Sequence, residues 1–327
     1  MSDRLRLAVE NGHVVLPEGN VLVVEPRVDS DLSIFSREKT EFRTSRATIE
    51  ARLRSSDLTN RGSLTEWVSA VLFLPRAKEA QRAVIRFARE AVGQAPIIVD
   101  GDKSDGIESI FRELKGRAEV TAPWSKAHGK VFTILSGTFD DWPEFGATKA
   151  EDGWWRAPGV FSADGIDPAS LLLAENLPSD LNGHVVDLGA GWGFLAHHVA
   201  NRGAVTHIDL VEDDALALSA ASHNVKDLRA TFHHADALTW SSDTPVDHVV
   251  TNPPFHTGRA ADPALGQGFI RTAACILQRN GSLWLVANRQ LPYESTLNDA
   301  FREVHLLKEN AQFKVYRADR PRARRKG

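Results

Sequence analysis

A single cysteine among 327 residues, Cys275, excludes an intrachain disulfide and a cysteine-rich metal site. Its neighbours Ala273, Ala274, Ile276 and Leu277 make inert packing its expected role. No apolar run reaches the roughly 18 to 20 residues that a membrane span requires. The start, Met1-Ser2-Asp3-Arg4-Leu5-Arg6, lacks the apolar stretch of a signal peptide, so a cytoplasmic protein with no membrane partner is expected. No repeat at a solenoid period and no low-complexity tract is visible. Nor is there an excess of one charge: 39 basic against 43 acidic residues leave −4, with no global sign of a polyanion partner. What is present is ordinary for a globular chain. With 42% hydrophobic and 25% charged residues, disorder is excluded as the main state, and the length favours two domains.

Charge distribution says more than the total. Residues 1–150 are balanced, 22 basic against 22 acidic, whereas 151–316 hold 11 against 20. The end reverses this: Arg317, Arg320, Arg322, Arg324, Arg325 and Lys326 oppose Asp319 alone, so it reads as a solvated tail or an arm for phosphates.

The pattern breaks near residues 136–160, a turn-rich and Trp-rich stretch read as a linker over 141–158. Before it, Val21-Leu22-Val23-Val24, Ala70-Val71-Leu72-Phe73-Leu74, Ile97-Ile98-Val99 and Val131-Phe132-Thr133-Ile134-Leu135 predict strands buried on both faces. Between them, Ala77, Ala80, Val84, Phe87, Ala88 and Ala91 share one helical face, as do Ile107, Ile110, Phe111 and Leu114. The alternation implies an α/β domain with a parallel sheet. Its first strand runs into Glu25-Pro26-Arg27-Val28-Asp29, with no glycine-rich turn for a phosphate-bearing cofactor. Lys78, Arg82, Arg86 and Arg89 form a basic stripe, either a solvated face or a phosphate-contacting one.

After the break the grammar returns with sharper punctuation. Asp167-Pro168 predicts a helix N-cap and first position. The strand at His184-Val185-Val186-Asp187-Leu188 feeds Gly189-Ala190-Gly191-Trp192-Gly193 and a helix from Phe194. Further strands end at Val211-Glu212, near Asp236, and at Thr251-Asn252-Pro253-Pro254-Phe255. Polar residues thus gather at the carboxyl edge of a parallel sheet, where such sheets bind ligands.

The glycine spacing differs from the dinucleotide fingerprint. Asp187 can accept from a bound amino group, Glu212 is placed for ribose hydroxyls, and Asp236 for an adenine amine; the set suits S-adenosylmethionine better than NAD. A glycine turn that merely packs helix on strand is the bland alternative. In Asn252-Pro253-Pro254-Phe255, stiff prolines can hold the Asn252 oxygen and the Pro253 carbonyl as two acceptors for one planar amine, with Phe255 stacking on its base. Transfer of a group to that nitrogen then rests on placement more than on a strong base. The His197-His198 and His233-His234 pairs lack ligand spacing, so no metal is expected.

Five ordered motifs carry a resemblance. Gly159-Val160-Phe161-Ser162 with Gly165 and Asp167, the Asp187 glycine loop, Asn252 to His256 with Gly258, Ala287-Asn288 with Leu291-Pro292-Tyr293, and Phe313-Lys314-Val315-Tyr316-Arg317 together resemble the RsmC/RlmG family of bacterial ribosomal RNA (guanine-N2)-methyltransferases. The resemblance implies two tandem Rossmann-like (class I methyltransferase) domains. One is a degenerate domain over 1–140 that lacks a cofactor loop and positions RNA; the other is a catalytic domain over 159–317, followed by a basic tail over 318–327. It implies S-adenosylmethionine held by Asp187, Gly189, Ala190, Gly191, Gly193, Glu212, Asp213, Asp236, Ala237 and Asn252. Catalysis would rest on Asn252, Pro253, Pro254 and Phe255, and substrate contact on Phe255, His256, Lys314 and Arg317. Glu212 stands where members commonly have Asp, and Asp236 where some have Asn. The expected product is N2-methylguanine in 16S ribosomal RNA of the small subunit, made by a monomer. The same reaction on 23S RNA, methylation of DNA adenine or protein glutamine, and a non-catalytic assembly factor stay open.

Overall fold

The computed structural model describes residues 3–58, 64, 66–254 and 263–322, with the backbone of 256–257 and 260–261. The chain forms two compact units, Met1–Thr148 with Ala157–Gly159, and Lys149–Arg156 with Val160–Gly327.

In the first unit the strands are β1 (Asn20–Val24), β2 (Thr40–Arg43), β3 (Trp67–Phe73), β4 (Ile97–Asp102), β5 (Glu119–Val120), β6 (Trp124–Lys126) and β7 (Gly129–Ser136). Their order is β2-β1-β3-β4-β7-β5, with β6 also on β7. The first four are mutually parallel, while β7 runs antiparallel to β4. Both faces are covered, which is why the strands are apolar at nearly every position. Leu22, Val24, Leu72 and Val99 meet α3 (Lys78–Val92) and α4 (Ile107–Lys115) through Val84, Ile85, Ile110 and Leu114. On the other face Val21, Val23, Val71 and Ile98 share a core with α1 (Arg4–Glu10) and α2 (Ala47–Ser55) through Leu5, Ala8, Ile49 and Leu53. Full burial of each such aliphatic side chain contributes about 1.5 to 3 kcal/mol.

The basic stripe on α3 is not an open cationic face. Lys78 and Arg82 pair with Glu113, Arg82 also with Glu79, and Arg86 with Glu90. Arg89 is buried and donates to the carbonyls of Gly93 and Ala95. The segment read as a linker is likewise docked. Trp142 is buried against Phe139 in the first core, ring centroids 4.6 Å apart. Residues 149–156 join the second unit: Trp154 packs on Trp192, Phe194 and His197, and Asn224 brackets the Trp155 backbone from both sides.

The second unit contains β8 (Gly183–Leu188), β9 (Val205–Glu212), β10 (Ala230–His234), β11 (Val246–Thr251), β12 (Leu277–Asn288), β13 (Phe301–Glu309) and β14 (Phe313–Pro321). The order is β10-β9-β8-β11-β12-β14-β13, parallel through β12 with β14 antiparallel. The helices are α5 (Pro168–Asn176), α6 (Phe194–Ala200), α7 (Ala215–Asn224), α8 (Pro263–Ile276) and α9 (Glu294–Ala300). Asp167 caps α5 as the sequence predicts, its carboxylate accepting from Ser170 N at 2.7 Å with Pro168 at the first position. From β8 the chain winds outward to β9 and β10, then returns past β8 to β11. The carboxyl ends of β8 and β11 therefore flank the topological switch point.

Two expectations are corrected here. Cys275 is exposed on α8 rather than packed. The basic tail cannot begin at 318, because β14 continues to Pro321 with Ala318 buried; residues 323–327 lie outside the described residues.

Candidate active site

The turn after β8 folds as its glycines require. Gly189, Gly191 and Gly193 all have positive φ, +77°, +54° and +86°. A Cβ at Gly189 would sit 2.8 Å from Phe269, whereas at Gly191 it would meet nothing within 4 Å. Gly191 is thus the point where the backbone is open to close approach by a ligand.

Two carboxylates hold this turn. Asp187 is fully buried, and one oxygen accepts from Ala196 N at 2.8 Å, tying β8 to α6. The other oxygen has no partner among the described residues. Burial raises its carboxyl to about 7, with the Glu212 charge adding to the effect. Glu212 bridges the turn and the next helix: one oxygen accepts from Gly191 N at 2.8 Å, the other from Asp214 N at 2.9 Å. Asp214 in turn caps α7. On the next strand end, Asp236 is half-buried and accepts from Leu238 N, with Ala237 buried beside it. Asp213 is half-buried, and its carbonyl accepts from His234.

Across the switch point, Thr251 donates to Leu188 O at 2.7 Å and fixes the two strand ends together. Asn252 follows. Its Nδ2 donates to Asp167 Oδ2 and to Ser170 Oγ, both at 2.9 Å. A carboxylate can only accept, so Nδ2 faces α5 and Oδ1 is the end presented elsewhere. Phe161, Ser162, Asp167, Ser170, Gly189, Ala190, Gly191, Trp192 and Asn252 line one cleft, with the Phe161 ring half exposed. Asp167, Ser170 and Phe161 were absent from the site list drawn from sequence. The Gly159-to-Asp167 motif included Phe161 and Asp167, the latter read only as a helix cap, and nothing in the sequence pointed to Ser170.

Of the other predicted residues, Pro253 is buried and Pro254 exposed. Phe255 lies outside the described residues, as does the side chain of His256. Lys314 is not brought to the cleft: it pairs with Glu294 at 2.6 Å, sharing that carboxylate with Tyr316. Their β14 positions face α8 and α9, opposite Asn252. Arg317 points to the other face but lies against Trp284 and Asp319, opposite the middle of β12. Metal-capable sets were also missed, since the donors come from different strands. Among the described residues, His184, His207 and Asp209 converge, and so do Glu303, His305 and Asp319.

Residues 153–317 match the family model described as "Methyltransferase small domain". With the switch-point turn and its open glycine, this makes the second unit a class I, S-adenosylmethionine-dependent methyltransferase domain. Across 76% of its length the chain is 32% identical to the ribosomal RNA small subunit methyltransferase C of Alteromonas mediterranea, covering 72% of that protein. It is 28% identical to the Hahella chejuensis protein of the same name, over 92% of the chain and 94% of the relative. A solved structure of T. thermophilus RsmC, a 16S rRNA N2 G1207 methyltransferase in complex with AdoMet and guanosine, superposes with a TM-score of 0.78 at 28% identity, covering 94% of this chain and 90% of that one. The chain belongs to the ribosomal RNA small subunit methyltransferase C family. Its fold is two Rossmann-like units in tandem, and its cofactor is S-adenosylmethionine.

Proposed function

We propose that the chain methylates the exocyclic N2 amine of a guanine in 16S ribosomal RNA, the position equivalent to that modified by the T. thermophilus relative. The observation that carries this reading is the fixed amide of Asn252 at the switch point. With both Nδ2 hydrogens committed to Asp167 and Ser170, Oδ1 is an acceptor whose direction does not have to be organised during reaction. Together with the Pro253 carbonyl it can accept both hydrogens of a planar amine and turn the nitrogen lone pair outward.

The residues of the turn fit the cofactor. The left-handed turn leaves Gly191 open, and the paired acids Glu212 and Asp236 stand on the two following strand ends, suited to ribose hydroxyls and an adenine amine. Asp213, Ala190 and Ala237 complete the wall. When bound, S-adenosylmethionine supplies an electrophilic sulfonium methyl. Asp187 acts from below: it holds α6 against β8, and being buried it positions the turn rather than touching a ligand. Phe255 and His256 would contact the base, and the target guanine must leave its stack to reach Asn252. The first unit, which lacks a cofactor turn, would position RNA. The enzyme would act as a monomer in the cytoplasm; no described helix is long and apolar enough to cross a membrane.

The test is labelled methyl transfer to unmodified 16S RNA, 23S RNA and the two free subunits, followed by nucleoside analysis. N2-methylguanosine in small-subunit material is the expected result. Label confined to large-subunit material, or none despite cofactor binding, would overturn the assignment.

A further inference from the structure

Below the carboxyl edge of the second sheet, three histidines surround one carboxylate. His184 on β8 and His207 on β9 are register partners, and Asp209 lies two residues further along β9. His184 Nε2 is 2.8 Å from Asp209 Oδ2; His207 Nε2 and His233 Nε2 are 3.0 and 2.8 Å from Oδ1. One donor atom each from His184, His207 and Asp209 lie within 4.8 Å of one another. The other nitrogen of His184 is 3.1 Å from the Pro245 carbonyl, the kind of outer contact that fixes the tautomer and orientation of a metal-ligating imidazole. Asp209 and His184 are buried, whereas the His207 side chain is 42% exposed and provides an entry path.

We propose that His184, His207 and Asp209 form a divalent transition-metal site that joins β8 and β9 beneath the cofactor turn, with His233 on β10 holding the Asp209 carboxylate from the far side. Two imidazoles and one carboxylate, with water completing the shell, are a borderline donor set that suits Zn²⁺, Co²⁺ or Ni²⁺ and disfavours Mg²⁺ and Ca²⁺. Tetrahedral coordination with bonds near 2.0 to 2.1 Å needs donors roughly 3.3 Å apart. The exposed His207 side chain has room to adjust to that spacing. The site is structural in kind. Asp209 precedes Glu212 by three residues, roughly 10 Å along the strand, so the ion would not reach the reacting atoms. It would instead stabilise the strand that carries Glu212, since metal binding to a folded site adds to folding free energy.

The test uses untagged, chelator-treated full chain and Co²⁺ alone, followed by absorption spectroscopy and calorimetry. One saturable Co²⁺ per chain is expected, with the visible bands of a four- or five-coordinate site, displaced by Zn²⁺ and accompanied by a higher unfolding midpoint. His207→Ala should weaken binding at least tenfold, and His233→Ala should weaken it as well. His305→Ala, in the other donor group, should leave it unchanged. Absence of saturable uptake, or uptake lost in His305→Ala and kept in His207→Ala, would overturn the proposal.

Discussion

The two units share a strand plan but differ at every position that would face a cofactor. Read across from β1 or β8, the order β2-β1-β3-β4-β7-β5 repeats β9-β8-β11-β12-β14-β13, with no counterpart of β10 among the described residues. One shared contact anchors the comparison: Glu25 N donates to Arg43 O as Gly189 N donates to Val211 O, and both residues have positive φ. Val23 then faces Val71 as Asp187 faces Val250, so Phe73-Leu74-Pro75 occupies the place of Asn252-Pro253-Pro254. By the same register Glu25, Pro26 and Arg27 replace Gly189, Ala190 and Gly191, and Thr44 replaces Glu212. Where the second unit leaves Gly191 open, the first fills its switch point from within. Arg27 donates to the Leu74 carbonyl at 3.1 Å and pairs with Asp102 and Asp105. Arg4, almost wholly buried, pairs with Asp100 and Asp102, and Gly129 makes room for its guanidinium. A fold can thus keep its sheet while its ligand edge becomes an internal ion-pair network.

The largest effect expected from this contrast concerns Asp187, where the first unit has buried Val23. A carboxyl raised from 3.8 to about 7 binds its proton more tightly in the folded state. Stability of the ligand-free protein should therefore fall as pH rises from about 4 through 7, by up to about 4 kcal/mol. In Asp187→Asn that slope should vanish, as denaturant titrations between pH 5 and 8 would show; an unchanged slope would place the effect elsewhere. Next is Asn252→Ala, which removes the amide at a place where the first unit has the apolar Phe73. Methyl transfer should drop by about 10²- to 10³-fold, about 3 to 4 kcal/mol, with cofactor affinity changed only slightly. Arg27→Ala in the first unit should cost about 1 to 2 kcal/mol of stability by removing a partly exposed ion pair and a backbone hydrogen bond, and leave cofactor affinity unaltered. The smallest is Asp167→Ala. Loss of a helix cap and of one acceptor for the Asn252 amide should lower stability by about 1 kcal/mol and kcat by about tenfold, while Asp167→Asn restores part of each.

Where the sequence was legible, local chemistry decided the structure. The strands at Val21–Val24 and His184–Leu188, the Asp167-Pro168 helix start and the glycine turn are each determined by neighbouring residues, and each folds as read. Roles that depend on what lies across the fold were not legible. Asp187 was read as an acceptor for a ligand, and its bond to Ala196 N, which ties the turn to α6, was not foreseen. Lys314 and the α3 stripe looked cationic until Glu294 and Glu113, remote in sequence, came into contact with them. The His184–His207–Asp209 group escaped because its members meet only through strand register. Burial alone would raise Asp209, but hydrogen bonds from His184 and His233 bring it down to about 2.

The central claim is that one unit binds the cofactor and the other cannot. Calorimetric titration of the full chain with S-adenosylmethionine should give one site per chain, and that site should be lost in Gly191→Val, which puts a branched side chain at the open, left-handed position. A stoichiometry of two, or undiminished binding in Gly191→Val, would contradict the account.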